Sequence, residues 1–125
     1  MKNLDLLAAE TAQEIVARRQ SLKADELDRL ATKALGVLQE NGVYAATLFL
    51  YSRNKAEEAT AQLIRESLLK LLSSLGVEGL PNGDNATSLK FVTDSVCSDL
   101  DTLLLVKQVW EQTLIYCRYG AKALE

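Results

Sequence analysis

The sequence contains no histidine, and this absence narrows the chemistry open to the chain. Histidine is the usual base that activates a serine or cysteine nucleophile, and it is a frequent ligand of zinc. The two cysteines, Cys97 and Cys117, form no Cys-x-x-Cys pair, and both lie in apolar helical pattern. We therefore interpret them as buried free thiols of a reducing compartment, with a disulfide between them as the alternative.

Long apolar runs are also missing. The longest, Val43 to Tyr51, is far shorter than the roughly 20 residues that a transmembrane helix needs. The N-terminal residues include Asp5 and lack the unbroken apolar core of a signal peptide. We expect a soluble, cytoplasmic protein without membrane contacts.

Length and composition indicate a single globular domain spanning residues 1–125. Apolar residues make up 48% of the chain and charged residues 25%, which excludes a disordered protein. The net charge of −3 argues against a free-standing protein that coats DNA or RNA, because such proteins are normally basic. The net charge does not exclude local basic patches, or contacts with nucleic acid made within a larger basic assembly.

Three segments show apolar residues at the three- and four-residue steps of a helix: about Asn3–Arg19, Ser21–Asn41 and Asn54–Leu75. Asn3, Ser21 and Asn54 are suited to N-capping. The first segment ends in two arginines, which favour the negative end of a helix dipole. Gly42 is predicted to stop the second, because glycine adopts positive φ without a Cβ penalty.

The remaining segments are shorter. Residues 43–52 are predicted to form a short helix, apolar on all sides and enclosed by the others. Residues 76–85 contain the only proline and form a predicted loop. A fifth helix is expected over residues 86–97, and Ser98-Asp99 either starts a sixth helix or continues the fifth as one bent helix.

The last stretch, Leu103–Leu124, determines the predicted architecture. In a helix, Lys107, Glu111, Arg118 and Lys122 lie on one narrow stripe, and most of the remaining circumference is apolar. A surface helix needs an apolar face only about 100° wide, so this helix should be surrounded by others. We therefore predict an all-α fold, a compact bundle of five or six helices around a central C-terminal helix.

Paired carboxylates are the only candidate catalytic side chains that occur more than once in the sequence. Glu57-Glu58 and the Asp99/Asp101 pair each lie in the first turn of a predicted helix, where the dipole favours negative charge. No acidic pair falls on a face that the pattern would bury. We therefore predict no enzyme activity, catalytic residue, bound metal, cofactor or small-molecule substrate; an enzyme of unrecognised type is the disfavoured alternative.

The candidate binding residues are basic. Lys107 can pair with Glu111 one turn away, which leaves Arg118 and Lys122 as uncompensated charge on the central helix. We predict that such side chains face a phosphate backbone within an assembled complex. The predicted nucleic-acid contacts come from the central helix and from the end of the short third helix: Arg118, Lys122, Lys107, Arg53 and Lys55.

Two stretches resemble a known family. ENGVYAATLFL, residues 40–50, is similar to the Asn-Gly-Leu…Ala-Leu-Ala-Phe segment of the small α-helical subunit of type III-B CRISPR effector complexes, the Cmr complexes. TLIYCRYGAKAL, residues 113–124, resembles that family's C-terminal Leu-Leu-x-Trp-Leu-Lys-Arg-Phe-Ala segment. In this match Tyr116 stands at the Trp, and Arg118 stands at the first basic residue. The chain length and the order of the two stretches are also similar to those of this family.

This resemblance implies a non-catalytic subunit of an RNA-guided antiviral complex. Several copies would stack as a filament beside the subunits that bind the guide RNA, with a basic face along the target strand. Such contacts are sequence-independent, because the guide reads sequence by base pairing. The implied partners are the other subunits, copies of the chain itself and the RNA backbone. A generic helical adaptor or dimerisation module of another complex is the alternative.

Overall fold

The computed structural model describes residues 3–19, 22–81 and 85–124, and these residues contain helices and connecting turns but no strand. A π-helical turn, Thr93–Cys97, continues the fifth helix. The prediction of an all-α bundle is confirmed. The α-helices are α1 Leu4–Ala17, α2 Ala24–Asn41, α3 Val43–Tyr51, α4 Lys55–Ser74, α5 Asn85–Val92 and α6 Leu100–Ala123.

Short polar side chains cap the starts of α1, α4 and α6. The Asn3 side chain accepts a hydrogen bond from the Leu6 amide at 3.0 Å, and that of Asn54 accepts one from the Glu57 amide at 3.1 Å. Both bonds confirm predicted caps, and each satisfies a backbone donor that the helix itself leaves unpaired. Asp99 caps α6 in an extended conformation, so the fifth and sixth helices are separate.

The start and end of α2 differ in part from the prediction. Ser21 lies outside the described residues, and the N-cap of α2 is Lys23, whose side chain makes no capping hydrogen bond. Gly42 both ends α2 and begins α3, as the predicted stop requires. Its φ is +96° and its ψ is −174°, an extended positive-φ conformation rather than a left-handed helical one. Only glycine adopts this backbone geometry readily.

Helix α6 is the element around which the others are arranged. It packs along α1 and α2, touches α3 and contacts the π-helical turn. Its Trp110 side chain reaches α4, where the indole Nε1 donates to the Leu68 carbonyl at 3.1 Å. The inward face of α6 is fully buried and consists of Val106, Val109, Trp110, Thr113, Leu114, Cys117 and Ala121.

The enclosure of the apolar helices is incomplete, and here the prediction is wrong. On α6, Leu104 and Tyr119 are more than half exposed, because the neighbouring helices cover one side of this long helix. On α3, Tyr44 and Leu48 are exposed for the same reason. Two helices whose sequences are apolar around most of their circumference therefore present apolar side chains to solvent.

Helices α1 and α6 run in the same direction. The start of α1, at Leu4, lies beside Gln112, and Val16 near its end lies beside Gly120. A Cβ at Gly120 would stand 3.2 Å from Val16 Cγ2, so the glycine permits the close approach of the two helices. This arrangement brings the C-terminal ends of α1 and α6 to the same end of the bundle. None of the helices in the described ranges has both the length and the apolar character needed to span a bilayer.

Candidate nucleic-acid interface

The basic side chains of α6 differ in how they are compensated. Lys107 Nζ lies 4.0 Å from Glu111 Oε1, which is the pairing expected from their spacing. Lys122 is exposed in the last turn of α6, and no ion pair in the described part of the chain involves it. Within the described residues Lys122 is therefore unpaired, whereas the charge of Lys107 is partly balanced.

Arg118 is compensated, contrary to the sequence prediction. Its Nε lies 3.4 Å from Asp28 Oδ1 of α2, and the side chains of Arg118 and Asp28 are only 33% and 17% exposed. Asp28 is 90 residues away in the chain, so helical spacing within α6 could not reveal it. The pair joins α2 to α6 and fixes the direction of the Arg118 side chain.

The second basic group lies where α3 meets α4. The guanidinium of Arg53 stacks on the Phe49 ring at 3.8 Å, and its Nε donates to the Phe49 carbonyl at 3.0 Å. Its Nη1 also lies 3.7 Å from Glu57 Oε1, so Arg53 is held by intramolecular contacts. Lys55 is exposed, and within residues 3–19, 22–81 and 85–124 it forms no ion pair.

The structure does not join these two groups. Arg53 contacts Phe49 and Glu57, whereas Arg118 contacts Asp28 of α2. Among the described residues, no hydrogen bond or ion pair connects the α3–α4 junction to the end of α6. The predicted binding residues are therefore held by two different sets of intramolecular contacts rather than by one shared network.

Helix packing adds two cations that the sequence reasoning missed. Arg19 lies beside Gly120 and Leu124, and its Nη1 donates to the Leu22 carbonyl at 2.8 Å. Lys23 is exposed immediately before α2. The sequence signal was the pair of arginines that ends α1, but its position beside α6 depends on the parallel packing. We call this group, Arg19, Lys23, Arg118 and Lys122, the basic end.

Of the three acidic residues in the first two turns of α2, Asp25 and Asp28 are paired, whereas Glu26 forms no ion pair within the described residues. Asp28 pairs with Arg118, and Asp25 Oδ2 lies 3.6 Å from Arg29 Nη2 one turn further along α2. The predicted carboxylate pair of α4 is engaged as well: Glu57 lies 3.3 Å from Lys33 Nζ, and Glu58 lies 2.9 Å from Arg65 Nη2. The Glu57 carboxylate therefore pairs across to α2 and with Arg53.

The cysteines sit in different surroundings, and both are free. Cys117 is buried on the inward face of α6, where burial, together with the smaller effect of the Asp28 charge, raises the pKa of its thiol to about 12. Cys97 is only partly buried, and burial raises its pKa as well. The prediction of a buried thiol is thus confirmed for Cys117 and only partly for Cys97. In the described ranges, no three or more carboxylate or thiol side chains converge as metal ligands would.

A groove of about 690 Å³ runs between α1 and α6 on the outside of the bundle. Small side chains at Ala9, Ala17 and Gly120 form part of its lining, and Tyr116 and Leu124 contribute larger apolar surface. The Tyr116 hydroxyl donates to the Asp5 carboxylate across the two helices. Sequence periodicity could show that α6 has excess apolar surface, but not that α1 lies alongside it.

In comparisons with models of known protein families, with curated proteins and with solved structures, the chain has no significant match. The function is therefore inferred from the residues and their arrangement.

Proposed function

We propose that the chain is a non-catalytic small subunit of a type III CRISPR RNA-guided effector complex. It stacks with copies of itself and helps to hold the target RNA through sequence-independent contacts to the phosphate backbone, in cytoplasmic antiviral defence. The assignment to a type III CRISPR complex, and to the III-B, or Cmr, subtype in particular, rests on the resemblance of residues 40–50 and 113–124.

The observation that supports the proposed contact with RNA is the basic end. Arg19 at the end of α1 lies beside Gly120 and Leu124 of α6 and bonds to Leu22, which precedes Lys23, so these cations lie at one end of a chain that is acidic overall. Exposed lysines suit a phosphate backbone, because their attraction is electrostatic and independent of base sequence. An acidic subunit with one basic end would bind RNA weakly alone and better beside basic partners.

The residues of the basic end have different roles in this proposal. Lys122 and Lys23 are exposed and make the principal phosphate contacts. Arg118 is held by Asp28 at 3.4 Å, so part of its charge is already balanced and its contribution is smaller. Lys55, with Arg53 beside it, would form a second and separate contact.

An exposed apolar surface on α3 supports contacts with other subunits. Tyr44 and Leu48, one helical turn apart, both point to solvent. Neighbouring exposed apolar side chains on a small protein are typical of a surface that another protein covers. This surface and the basic end lie on different helices, so protein and RNA could be bound at the same time.

The test measures target-RNA binding by the complex, purified from its native cells through a tag on this chain. We expect the double variant Lys23→Glu/Lys122→Glu to assemble normally but to bind target RNA more weakly. The salt dependence of binding should become shallower by about one unit for each phosphate that a copy of the chain no longer neutralises. Lys55→Glu tests the second site in the same way.

The double variant Lys70→Glu/Lys90→Glu is the matched control, because it also reverses the charges of two exposed lysines and changes the net charge by the same amount. It should leave both the affinity and the salt dependence unchanged. If the Lys23/Lys122 variant behaves like this control, the basic end is only a solvated surface and the proposed RNA contact is wrong.

A further inference from the structure

The groove between α1 and α6 has the lining of a site for a small apolar molecule. On α1 it extends from Ala9 to Arg19, and on α6 it extends from Tyr116 to Leu124. Apart from Gln13 and Arg19, the described residues that line it are alanine, valine, glycine, leucine and tyrosine. Its volume of about 690 Å³ is typical of small-molecule sites, which are mostly apolar and carry a few polar groups.

The charge of this groove lies at one end. Arg19 is the one charged side chain among the described residues that line it. Its Nη1 donates to the Leu22 carbonyl at 2.8 Å, and no ion pair in the described part of the chain involves it. Lys122 lies at the same end, and the two cations offset the partial negative charge at the C-terminal ends of α1 and α6. Asp5, bonded to Tyr116, lies at the opposite end, so an anion is attracted to the Arg19 end alone.

We propose that this groove binds a medium-chain fatty acid, with the carboxylate at Arg19 and the aliphatic chain between α1 and α6. A guanidinium holds a carboxylate through charge-assisted hydrogen bonds. The Nε and Nη2 of Arg19 make no hydrogen bond within the described residues, so both can donate to a ligand. The aliphatic chain gains by leaving water for an apolar surface.

The length of the groove selects the length of the chain. From Ala9 to Ala17, helix α1 rises about 12 Å, at about 1.5 Å per residue. Bonds of about 1.5 Å at an angle of about 111° advance an extended aliphatic chain by about 1.25 Å per carbon, so about ten carbons match this length. The same length gives a partner helix contact over little more than two turns. The binding is a property of the free chain and does not require the proposed contact with RNA.

The test titrates the isotope-labelled full chain with decanoate and follows the backbone amides by NMR. We expect one saturable site with a dissociation constant below about 1 mM and the largest shifts at Ala17 and Gly120. Decyltrimethylammonium has the same chain and the opposite charge, and it should bind at least about tenfold more weakly. Hexanoate, which has four fewer methylene groups, should also bind at least about tenfold more weakly.

Two pairs of variants locate the site. Arg19→Gln should weaken decanoate binding about tenfold and reduce its preference over the cationic ligand. Arg18→Gln removes the same charge from an exposed arginine that pairs with Glu14 at 3.3 Å, and it should change the affinity less than about twofold. Ala17→Trp, at an exposed position in the groove, should fill it and weaken binding at least about tenfold. Ala56→Trp, at an exposed position of α4, should leave binding unchanged.

Several results would overturn the inference. One is the absence of saturable decanoate binding up to about 5 mM, which would leave the groove to a partner protein or to solvent. Another is equal affinity for decanoate and decyltrimethylammonium, or equal effects of Arg19→Gln and Arg18→Gln, because either would show that Arg19 does not hold the carboxylate. Amide shifts centred on Tyr44 and Leu48 would move the site to the exposed surface of α3.

Discussion

The indole Nε1 of Trp110 donates a hydrogen bond to the carbonyl of Leu68, 3.1 Å away in space and 42 residues earlier in the chain. Both residues are buried, so the bond satisfies the one polar atom of the largest fully buried side chain. It also ties α6, which carries Arg118 and Lys122, to α4. The position of α6 in the bundle therefore depends on Trp110 more than on any single surface charge.

Trp110→Ala should lower the free energy of unfolding by about 3–5 kcal/mol, because it opens a large cavity in the core. Chemical denaturation measures this loss. Leu104→Ala, at an exposed position of the same helix, is the control and should cost less than about 1 kcal/mol. Native tryptophan emission should be blue-shifted. A solvent-like emission maximum would show that Trp110 is not enclosed.

Gly36 and Gly42 should respond in opposite directions to substitution by alanine. Neither position has a heavy atom within 4 Å of an added Cβ. The effect of alanine on stability therefore depends only on the backbone conformation at each position. Gly42 has a φ of +96°, which alanine rarely adopts, and Gly42→Ala should destabilise the protein by about 1–3 kcal/mol. Gly36 lies inside α2, where alanine is favoured, and Gly36→Ala should stabilise it by about 0.5–1 kcal/mol. Equal effects at both positions would contradict the backbone assigned to Gly42.

The pair of Asp28 and Arg118 should contribute measurably to stability. A double-mutant cycle with Asp28→Asn and Arg118→Gln should give a coupling energy of about 1 kcal/mol, because both side chains are partly buried. Lys107 and Glu111 provide a comparison at 4.0 Å and greater exposure, for which about 0.3–0.5 kcal/mol is expected. A coupling energy near zero for Asp28 and Arg118 would mean that Arg118 does not interact with Asp28 in solution.

Cys117 should make stability depend on pH in alkaline solution. The unfolded thiol ionises above its ordinary pKa of 9.0, whereas burial and Asp28 keep the folded thiol protonated up to about 12. The folded state therefore binds the extra proton, and stability is highest below pH 9.0 and falls as the pH rises towards 12. The fall should approach about 1.4 kcal/mol per pH unit between the unfolded and folded pKa values.

Unfolding curves of the wild type and of Cys117→Ala, recorded across this range, isolate that contribution. The free energy of unfolding of the variant should fall less steeply with rising pH than that of the wild type. This difference in slope does not depend on how far the substitution lowers stability at neutral pH. Parallel declines would mean that the Cys117 thiol ionises equally in both states. A thiol reagent should also label Cys97 before Cys117 in the native protein, because Cys97 is the more exposed of the two.

Local features of the fold could be predicted from the sequence. The caps at Asn3 and Asn54, the stop at Gly42 and the burial of Trp110 each depend on residues within one or two helical turns. The helical period exposes such relationships directly. The all-α class could be predicted because every long segment had apolar residues at the helical spacing of three and four residues.

The candidate site could be predicted only in part. Lys122 was identified because its position on α6 is visible in the helical spacing. The pairing of Arg118 with Asp28 was not, because it joins residues 90 apart through tertiary packing. Arg19 joins the basic end for a related reason: α1 lies parallel to α6, and periodicity carries no information about helix direction. The exposed face of α6 was also missed, since a pattern shows which surface is apolar but not whether a neighbour covers it.

The central claim is that the chain works within an RNA-guided complex, and the most direct test is to identify what co-purifies with it. The chain should be tagged in its native cells, isolated at moderate salt, and its bound RNA and proteins sequenced. We expect RNA of uniform guide length carrying CRISPR repeat sequence, together with the other effector subunits. Recovery of the chain with unrelated proteins and no such RNA would contradict it and would favour a helical adaptor of another complex.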